Sequence, residues 1–204
     1  MFDFDPTFDD SLAPIAGHTI ADYSASIRAL GGDIRDIAND QLIYDHGDDA
    51  ESLFLVVEGL VRLVRFARDG SEITLGLVKP GEFFGEAAAL EGGSQAASAY
   101  AVFGAKVARL RKRAVPELAQ RHPQLSADLL RMVTRRLQST IDQVDAMAFL
   151  DVEARLARVL LNLARDHGQR RKVGLLIDLK LGHRALGSFI AATRETVGKR
   201  LSQW

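Results

Sequence analysis

Two hydrophobic patterns divide the chain, and the first of them is typical of β structure. Short apolar or alternating runs fill residues 40–111. The glycines that separate these runs recur every eleven or twelve residues: Gly47, Gly59, Gly70 and Gly81. Asp69-Gly70 is typical of a tight hairpin turn. Short strands at such regular spacing predict an antiparallel barrel or sandwich.

The β region and its flanks can be assigned segment by segment. The predicted strands are Leu53–Val57, Leu60–Phe66, Ile73–Val78 and Lys106–Leu110. A short helix is predicted before them, over Ser24–Leu30. The first twenty residues show no periodic pattern, and we expect them to form a loose N-terminal arm.

After Pro116 the apolar residues follow a helical period. One stripe alternates steps of three and four residues: Leu130, Val133, Leu137, Thr140, Val144 and Met147. This is the a/d spacing of a two-stranded helical seam, so the stripe predicts a homodimer. A helix that packs against its own domain is the open alternative.

The last third of the chain predicts a helix-turn-helix. A helix is predicted over Asp151–Arg165, so the domains should divide near residue 150. A short helix follows over Arg184–Ile190, with a tight corner at Ala191-Ala192. Two short helices joined in this way form the motif whose second helix enters the DNA major groove.

The last helix has one apolar and one polar side. Its apolar positions are Val197, Leu201 and Trp204. Thr193 is a good N-cap, and Arg194, Glu195 and Lys199 project from the opposite side. Arginine and lysine can donate to guanine, and glutamate can accept from cytosine N4. The pattern predicts a DNA-reading helix, and a solvated amphipathic helix is the alternative.

Charge is distributed unevenly along a nearly neutral chain. The formal net charge of the 204 residues is −1 at pH 7. Residues 1–60 carry thirteen acidic side chains and two basic ones, whereas residues 165–204 carry nine basic and three acidic ones. This asymmetry predicts that the C-terminal part binds a polyanion.

Composition excludes several other classes of protein. The chain has no cysteine, which rules out disulfides and cysteine-ligated clusters. The N-terminus is acidic, and no apolar run approaches the ~20 residues that span a bilayer, so we expect a cytoplasmic protein without a membrane partner. The five histidines are scattered, and the β region contains only His46. We therefore expect neither a metal site nor an enzyme of the cupin type.

Four motifs carry a resemblance to a known family. They are Pro80–Glu86, Arg135–Gln138, Ala148–Val152 and Arg194–Gly198. In these motifs and in their order, the chain resembles the Crp/Fnr family, which includes the cyclic-AMP receptor proteins. The resemblance implies an α+β fold: an eight-stranded N-terminal β jelly roll of the cyclic-nucleotide-binding type, a long dimerisation helix and a C-terminal winged helix-turn-helix. We expect the domains at 1–115, 116–150 and 151–204, the last truncated before the wing.

The resemblance also implies an effector site in the jelly roll. Gly85, Glu86 and Ala87 match the start of the short helix that binds the cyclic phosphate and the ribose 2′-hydroxyl in the family. The arginine that neutralises the phosphate would fall on Gln95, or on Ala96 after a one-residue slip. No Lys or Arg occurs between residues 79 and 106, so the expected counter-charge is missing.

Two positions of the seam helix match the effector pocket of the family. Thr140 falls where the family contacts the purine, and Arg136 matches an arginine near that pocket. As alternatives, Thr140 sets the register of the seam and Arg136 is a solvated charge. The missing counter-charge disfavours cyclic-AMP binding of the usual strength. It leaves open another effector, cyclic di-GMP among them, or DNA binding that needs no effector.

The resemblance assigns the DNA contacts and the partners. Base-reading positions fall on Arg194, Glu195 and Lys199, where lysine lacks the bidentate fork of arginine. The motif's first helix begins without its usual cap, and its His183 and Arg184 are expected to reach phosphates. Thr193, the cap of the second helix, is also expected among the DNA-binding residues. The expected partners are double-stranded DNA, a second copy of the chain and RNA polymerase. The resulting hypothesis is an effector-controlled, homodimeric transcription regulator that reads a palindrome. The alternative is a cyclic-AMP or cyclic di-GMP sensor without effective DNA binding.

Overall fold

A β-rich half and a helical half follow one another in the order that the hydrophobic pattern predicts. The structure, a computed structural model, describes residues 19–179 and 181–204, without the side chains of residues 87–89. The helices are α1 Ile20–Ala29, α2 Glu86–Glu91, α3 Val115–Arg121, α4 Leu125–Phe149, α5 Val152–His167, α6 His183–Phe189 and α7 Arg194–Leu201. The strands are β1 Asp33–Ile37, β2 Leu42–Tyr44, β3 Ser52–Phe66, β4 Glu72–Val78, β5 Phe83–Phe84, β6 Ser98–Arg111, β7 Gly168–Arg170 and β8 Leu175–Ile177.

Six antiparallel strands form the barrel. Their order is β1-β6-β3-β4, with β2 also paired to β6 and β5 paired to β3. The resemblance implies eight strands. The described residues form six because β3 and β6 each continue through a bend and pair with one another along most of their length. The predicted strands Leu53–Val57 and Leu60–Phe66 are accordingly one strand, β3.

The bend in β3 lies at Gly59. Its φ is +78°, and a Cβ at this position would lie 2.3 Å from the Gly104 carbonyl oxygen. Only glycine fits such a close backbone approach. The register of the β3–β6 pairing shifts on either side of Gly59 without a break in the strand. Gly59, which the sequence pattern assigns to a turn between two strands, therefore marks an irregularity inside one long strand.

The barrel interior is an apolar cluster. The side chains of Tyr44 and Phe54 flank that of Phe84, with ring centroids 5.9 and 5.1 Å from the Phe84 ring. Val61 and Leu63 of β3 belong to the same cluster. Since side chains alternate along a strand, the next residue of β3 on this inner face is Arg65.

Helix α4 has a packed face and an exposed face. Leu125, Leu129 and Met132 pack in a core shared with the barrel, α1 and α3. On the other side a line of large apolar side chains is exposed: Leu130, Val133, Leu137, Ile141 and Val144. The predicted stripe therefore does not pack against its own domain. Thr140 is also exposed, whereas Met147 is partly buried.

The first helix is longer than its sequence pattern predicts. It starts at Ile20 rather than near Ser24, because Thr19 and Asp22 form a capping box. The predicted loose arm lies almost wholly outside the described residues. Among the described residues, no helix has both the length and the apolar character that crossing a membrane requires.

The C-terminal helices share a core, against which Leu77 of the barrel strand β4 also packs. It contains Leu156, Leu163, Leu186, Ile190 and Val197. A hairpin of β7 and β8 precedes α6, in a segment that the sequence pattern leaves unassigned.

The prediction that Trp204 belongs to the apolar face of the last helix is wrong. The helix α7 ends at Leu201, so Trp204 lies beyond it and is 58% exposed. Its indole Nε1 donates to Glu153 Oε1 over 3.1 Å.

The corner between α6 and α7 depends on Gly187. A Cβ at this position would lie 2.4 Å from the Ala192 carbonyl oxygen. We expect Gly187→Ala to lower the free energy of unfolding of the C-terminal part by about 2 kcal/mol, because the corner must shift. Gly182→Ala is the control, since no atom lies within 4 Å of its added Cβ. Urea unfolding followed by the fluorescence of Trp204, the single tryptophan, measures both variants. Equal stability of the two variants would contradict this role of Gly187.

Candidate nucleic-acid interface and effector site

Helix α7 is capped as its sequence predicts. The Thr193 hydroxyl oxygen accepts a hydrogen bond from the Thr196 backbone N–H over 3.2 Å. The backbone of Thr193 is extended, and helical geometry begins at Arg194. The corner before it turns at Ala191, whose φ is +50°. The cap and the corner together fix the direction in which α7 leaves the motif.

The three predicted base-reading side chains are brought together on α7. Arg194, Glu195 and Lys199 are all exposed. The pKa of Glu195 is lowered, chiefly because its carboxylate accepts from its own backbone N–H and from the Thr193 hydroxyl. An ionised Glu195 is a hydrogen-bond acceptor only, as contact with a cytosine amino group requires.

The opposite side of α7 is anchored to the rest of the domain. Val197 is fully buried in the C-terminal core. Near the end of the helix, Arg200 Nη1 lies 3.3 Å from Glu153 Oε2 of α5. Gly198 leaves room for His183, because a Cβ there would come within 3.1 Å of His183 Nδ1. Anchoring one side holds the polar side out toward solvent.

The predicted phosphate contacts lie in the first turn of α6. His183 and Arg184 are exposed, and the N-cap residue Gly182 offers no side-chain cap. Arg184 Nη2 lies 3.8 Å from Glu72 Oε2 of the barrel strand β4. This contact links the helix-turn-helix to the barrel. No sequence pattern predicts it, because the two partners belong to different domains and lie far apart along the chain.

In the predicted effector site, Gly85 and Glu86 join β5 to α2. Gly85 has a φ of +72°, and Glu86 is buried. Glu86 Oε1 accepts from Arg136 Nη1 over 2.7 Å, and Arg136 Nη2 donates to the Phe83 carbonyl. Arg136 is therefore the ion-pair partner of Glu86, and the interpretation of it as a solvated charge is wrong. Burial and the nearby Glu86 charge raise the pKa of Tyr44.

The segment around Gln95, which lacks the expected arginine, is contacted by an arginine side chain from another strand. Gln95 is buried and Ala96 is exposed. Arg65 Nη1 of β3 donates to the Ala96 carbonyl over 2.8 Å. Sequence reasoning missed Arg65 because it lies 31 residues away. One sequence feature could have identified Arg65: it lies two residues after Leu63 and therefore on the same, inner face of β3. The side chain of Ala87, on α2, is outside the described part of the structure.

Thr140, the other predicted effector residue of α4, is exposed and hydrogen-bonded within its own helix. Its hydroxyl donates to the Arg136 carbonyl one turn earlier on α4, over 2.9 Å. Such a bond within a helix satisfies the hydroxyl locally. The hydroxyl oxygen keeps its lone pairs to accept from a purine amino group, whereas donation to a purine ring nitrogen would require the hydroxyl to leave this partner.

A cavity of about 380 Å³ lies beside the barrel interior. Tyr44, Phe54, Gln95 and Arg109 are among its lining residues. Of the predicted effector residues whose side chains the structure describes, only Gln95 lines it. The cavity therefore does not coincide with the ion pair between Glu86 and Arg136.

The residues around Glu86 fit a phosphate-bearing sugar in part. A buried carboxylate can accept from a ribose hydroxyl. A cation is needed for the phosphate, because the charge of Arg136 is already matched by that of Glu86. Arg65 is exposed and hydrogen-bonds the Ala96 carbonyl, in the segment that lacks its own arginine.

Comparison with known proteins gives matches along most of the chain. The cyclic nucleotide-binding domain family matches residues 34–122, and the Crp-like helix-turn-helix domain family matches residues 154–204. The cAMP-activated global transcriptional regulator CRP of Pasteurella multocida is 35% identical over 158 residues, which is 76% of this chain and 74% of that protein.

Solved structures of other proteins have a fold similar to that of this chain. A transcriptional regulator of the CRP family from Thermus thermophilus is similar with a TM-score of 0.69 at 32% identity, over 83% of each chain. The c-di-GMP responsive global regulator CLP of Xanthomonas campestris has a TM-score of 0.76 at 21% identity, over 88% of this chain and 89% of that one, which indicates a shared fold.

Proposed function

This chain belongs to the Crp/Fnr family of DNA-binding transcription regulators, and on that premise we propose that it reads a palindromic DNA site as a homodimer, with α7 in the major groove. The observation that carries the proposal is the capped helix α7, with Arg194, Glu195 and Lys199 exposed together and the opposite side anchored in the core. The proposed phosphate contacts, His183 and Arg184, lie beside it in the first turn of α6.

The dimer is proposed to form along α4. Its exposed apolar line has the spacing of a two-stranded seam, while its other face is held by the barrel. A symmetric dimer would carry two copies of α7, and such pairs bind half-sites about 34 Å apart, one turn of DNA. We propose that the barrel extends to residue 115, the dimerisation segment to residue 150 and the DNA-binding domain from residue 151.

The effector is proposed to be a cyclic nucleotide, with cyclic AMP and cyclic di-GMP as the candidates. A relative 35% identical to this chain is activated by cAMP. We propose that Gly85, Glu86 and Ala87 bind its sugar–phosphate ring next to Gln95 and Ala96, with Arg136 and Thr140 on the α4 side. Arg65 supplies the positive charge, and its hydrogen bond to Ala96 supports this role.

Three further proposals rest on the family alone. Regulators of this kind act where their promoters are, so we propose a cytoplasmic location and RNA polymerase as a partner. We propose no catalytic activity, because the relatives are transcription regulators.

The base-reading role is tested on Arg194. We expect Arg194→Ala to cost about 1–3 kcal/mol of specific binding and to relax sequence preference at one base pair of each half-site. Arg165→Ala is the matched control, since Arg165 is also exposed, on α5, but lies off the reading helix. Titration of labelled palindromic DNA at two salt concentrations measures both. An unchanged sequence preference in Arg194→Ala would contradict the proposal.

The effector role is tested on Arg65. Isothermal titration with cyclic AMP and with cyclic di-GMP is expected to show binding of one of them by the wild-type protein. We expect Arg65→Gln to weaken that binding about tenfold or more, because a charge-assisted contact to phosphate is lost. Arg68→Gln is the control, since it removes the same charge from the nearby turn. Wild-type binding that Arg65→Gln leaves intact would contradict the role of Arg65.

A further inference from the structure

The barrel and the helix-turn-helix meet through a partly buried cluster of polar groups, which we call the barrel–α6 contact. It comprises Arg62, Glu72 and Thr74 of the barrel with Arg184 and Ser188 of α6. The hydroxyl oxygens of Thr74 and Ser188 are 2.7 Å apart, and both residues are buried. The Ser188 hydroxyl also contacts the Ala185 carbonyl over 2.7 Å, so its proton can be used within α6 while it accepts from Thr74.

Arg62 ties the contact together. Its Nη1 lies 3.1 Å from both Glu72 Oε1 and Thr74 Oγ1, and 3.2 Å from Ser188 Oγ. One guanidinium thus joins a carboxylate and a hydroxyl of the barrel to a hydroxyl of the DNA-binding half. Each of these groups is hydrogen-bonded here and would be hydrated after separation, so the contact can open at modest cost.

A residue of the dimerisation helix joins the same contact. The side-chain amide of Gln143 donates to the Thr74 carbonyl over 2.8 Å and to the carbonyl of Phe189, the last residue of α6, over 3.2 Å. Gln143 follows Arg136 by seven residues on α4, about two helical turns, so both lie on one side of it. A displacement of α4 at Arg136 would therefore also move Gln143 and loosen the hydrogen bonds of the barrel–α6 contact.

The contact also affects the DNA-binding surface. It brings the Glu72 carboxylate to within 3.8 Å of Arg184, which is a proposed phosphate ligand. A phosphate approaching Arg184 would meet that negative charge. The contact also fixes α6, and with it α7, relative to the barrel, so that α7 cannot adjust its direction to the spacing of two half-sites.

We propose that the barrel–α6 contact is an autoinhibitory latch, which holds the helix-turn-helix in a state of low DNA affinity until a ligand beside Glu86 and Arg136 displaces α4. This inference rests on the proposed function and specifies how DNA binding is regulated. The latch and the effector site are coupled through α4, which carries Arg136 at one and Gln143 at the other. Ligand binding and latch opening then favour the same state of the protein.

A reversible covalent lock tests the latch. The chain contains no cysteine, so the double variant Thr74→Cys, Ser188→Cys has one thiol pair, placed where two hydroxyl oxygens now lie 2.7 Å apart. We expect mild oxidation to form an intramolecular disulfide, detected by thiol counting and mass. With the cyclic nucleotide that the wild-type protein binds present throughout, the oxidised protein should bind palindromic DNA about tenfold or more weakly than the same protein after reduction.

The single variants Thr74→Cys and Ser188→Cys are the controls, because neither can form the intramolecular bond and their DNA binding should not respond to oxidation. Failure of the disulfide to form would overturn the latch by showing that the contact is absent in solution. Equal DNA binding by the locked and reduced forms would overturn its autoinhibitory role. Absence of DNA binding by the wild-type protein with cyclic AMP or cyclic di-GMP added, and with the disulfide formed in the double variant, would instead overturn the proposed function.

Discussion

The position of helix α4 determines how the other parts of the molecule can act. Its packed face is held by Met132 and its neighbours in the barrel core, and Arg136 fixes it to Glu86 next to the proposed effector site. Two turns later Gln143 reaches both the barrel and α6. The face that remains, marked by Leu137, is apolar and exposed. One helix therefore connects the proposed sensor, the proposed dimer seam and the helix-turn-helix.

Local chemistry made much of this arrangement predictable. The cap at Thr193 and the burial of Val197 follow from residues a few positions apart, and both were confirmed. Where local signals failed, a tertiary contact had a stronger effect. Gly59 resembles a turn glycine, but the close approach of Gly104 makes it a bend inside a strand. Trp204 matched the helical period, although the helix ends at Leu201.

The site was harder to predict because charges far apart in sequence meet in the fold. A cassette without a basic residue looked unable to hold a phosphate, yet Arg65 approaches it from β3. Likewise, Arg184 looked like a free phosphate ligand, whereas a barrel carboxylate, that of Glu72, lies beside it. Both pairings depend on how strands and domains are arranged, which a periodic pattern does not encode. The proposed regulatory contacts of this protein are such long-range pairs, whereas its proposed DNA-reading surface is formed by neighbouring residues of one helix.

Paired copies of α7 should read an inverted repeat, and DNA selection can show whether they do. The purified protein is used, at low salt and with cyclic AMP or cyclic di-GMP added, to select binding sites from random-sequence DNA. We expect enrichment of two inverted half-sites whose centres are about 10 base pairs, one helical turn, or a multiple of it apart. Enrichment of a single unrepeated half-site, or no enrichment with the protein folded, would contradict reading by a symmetric pair of helices.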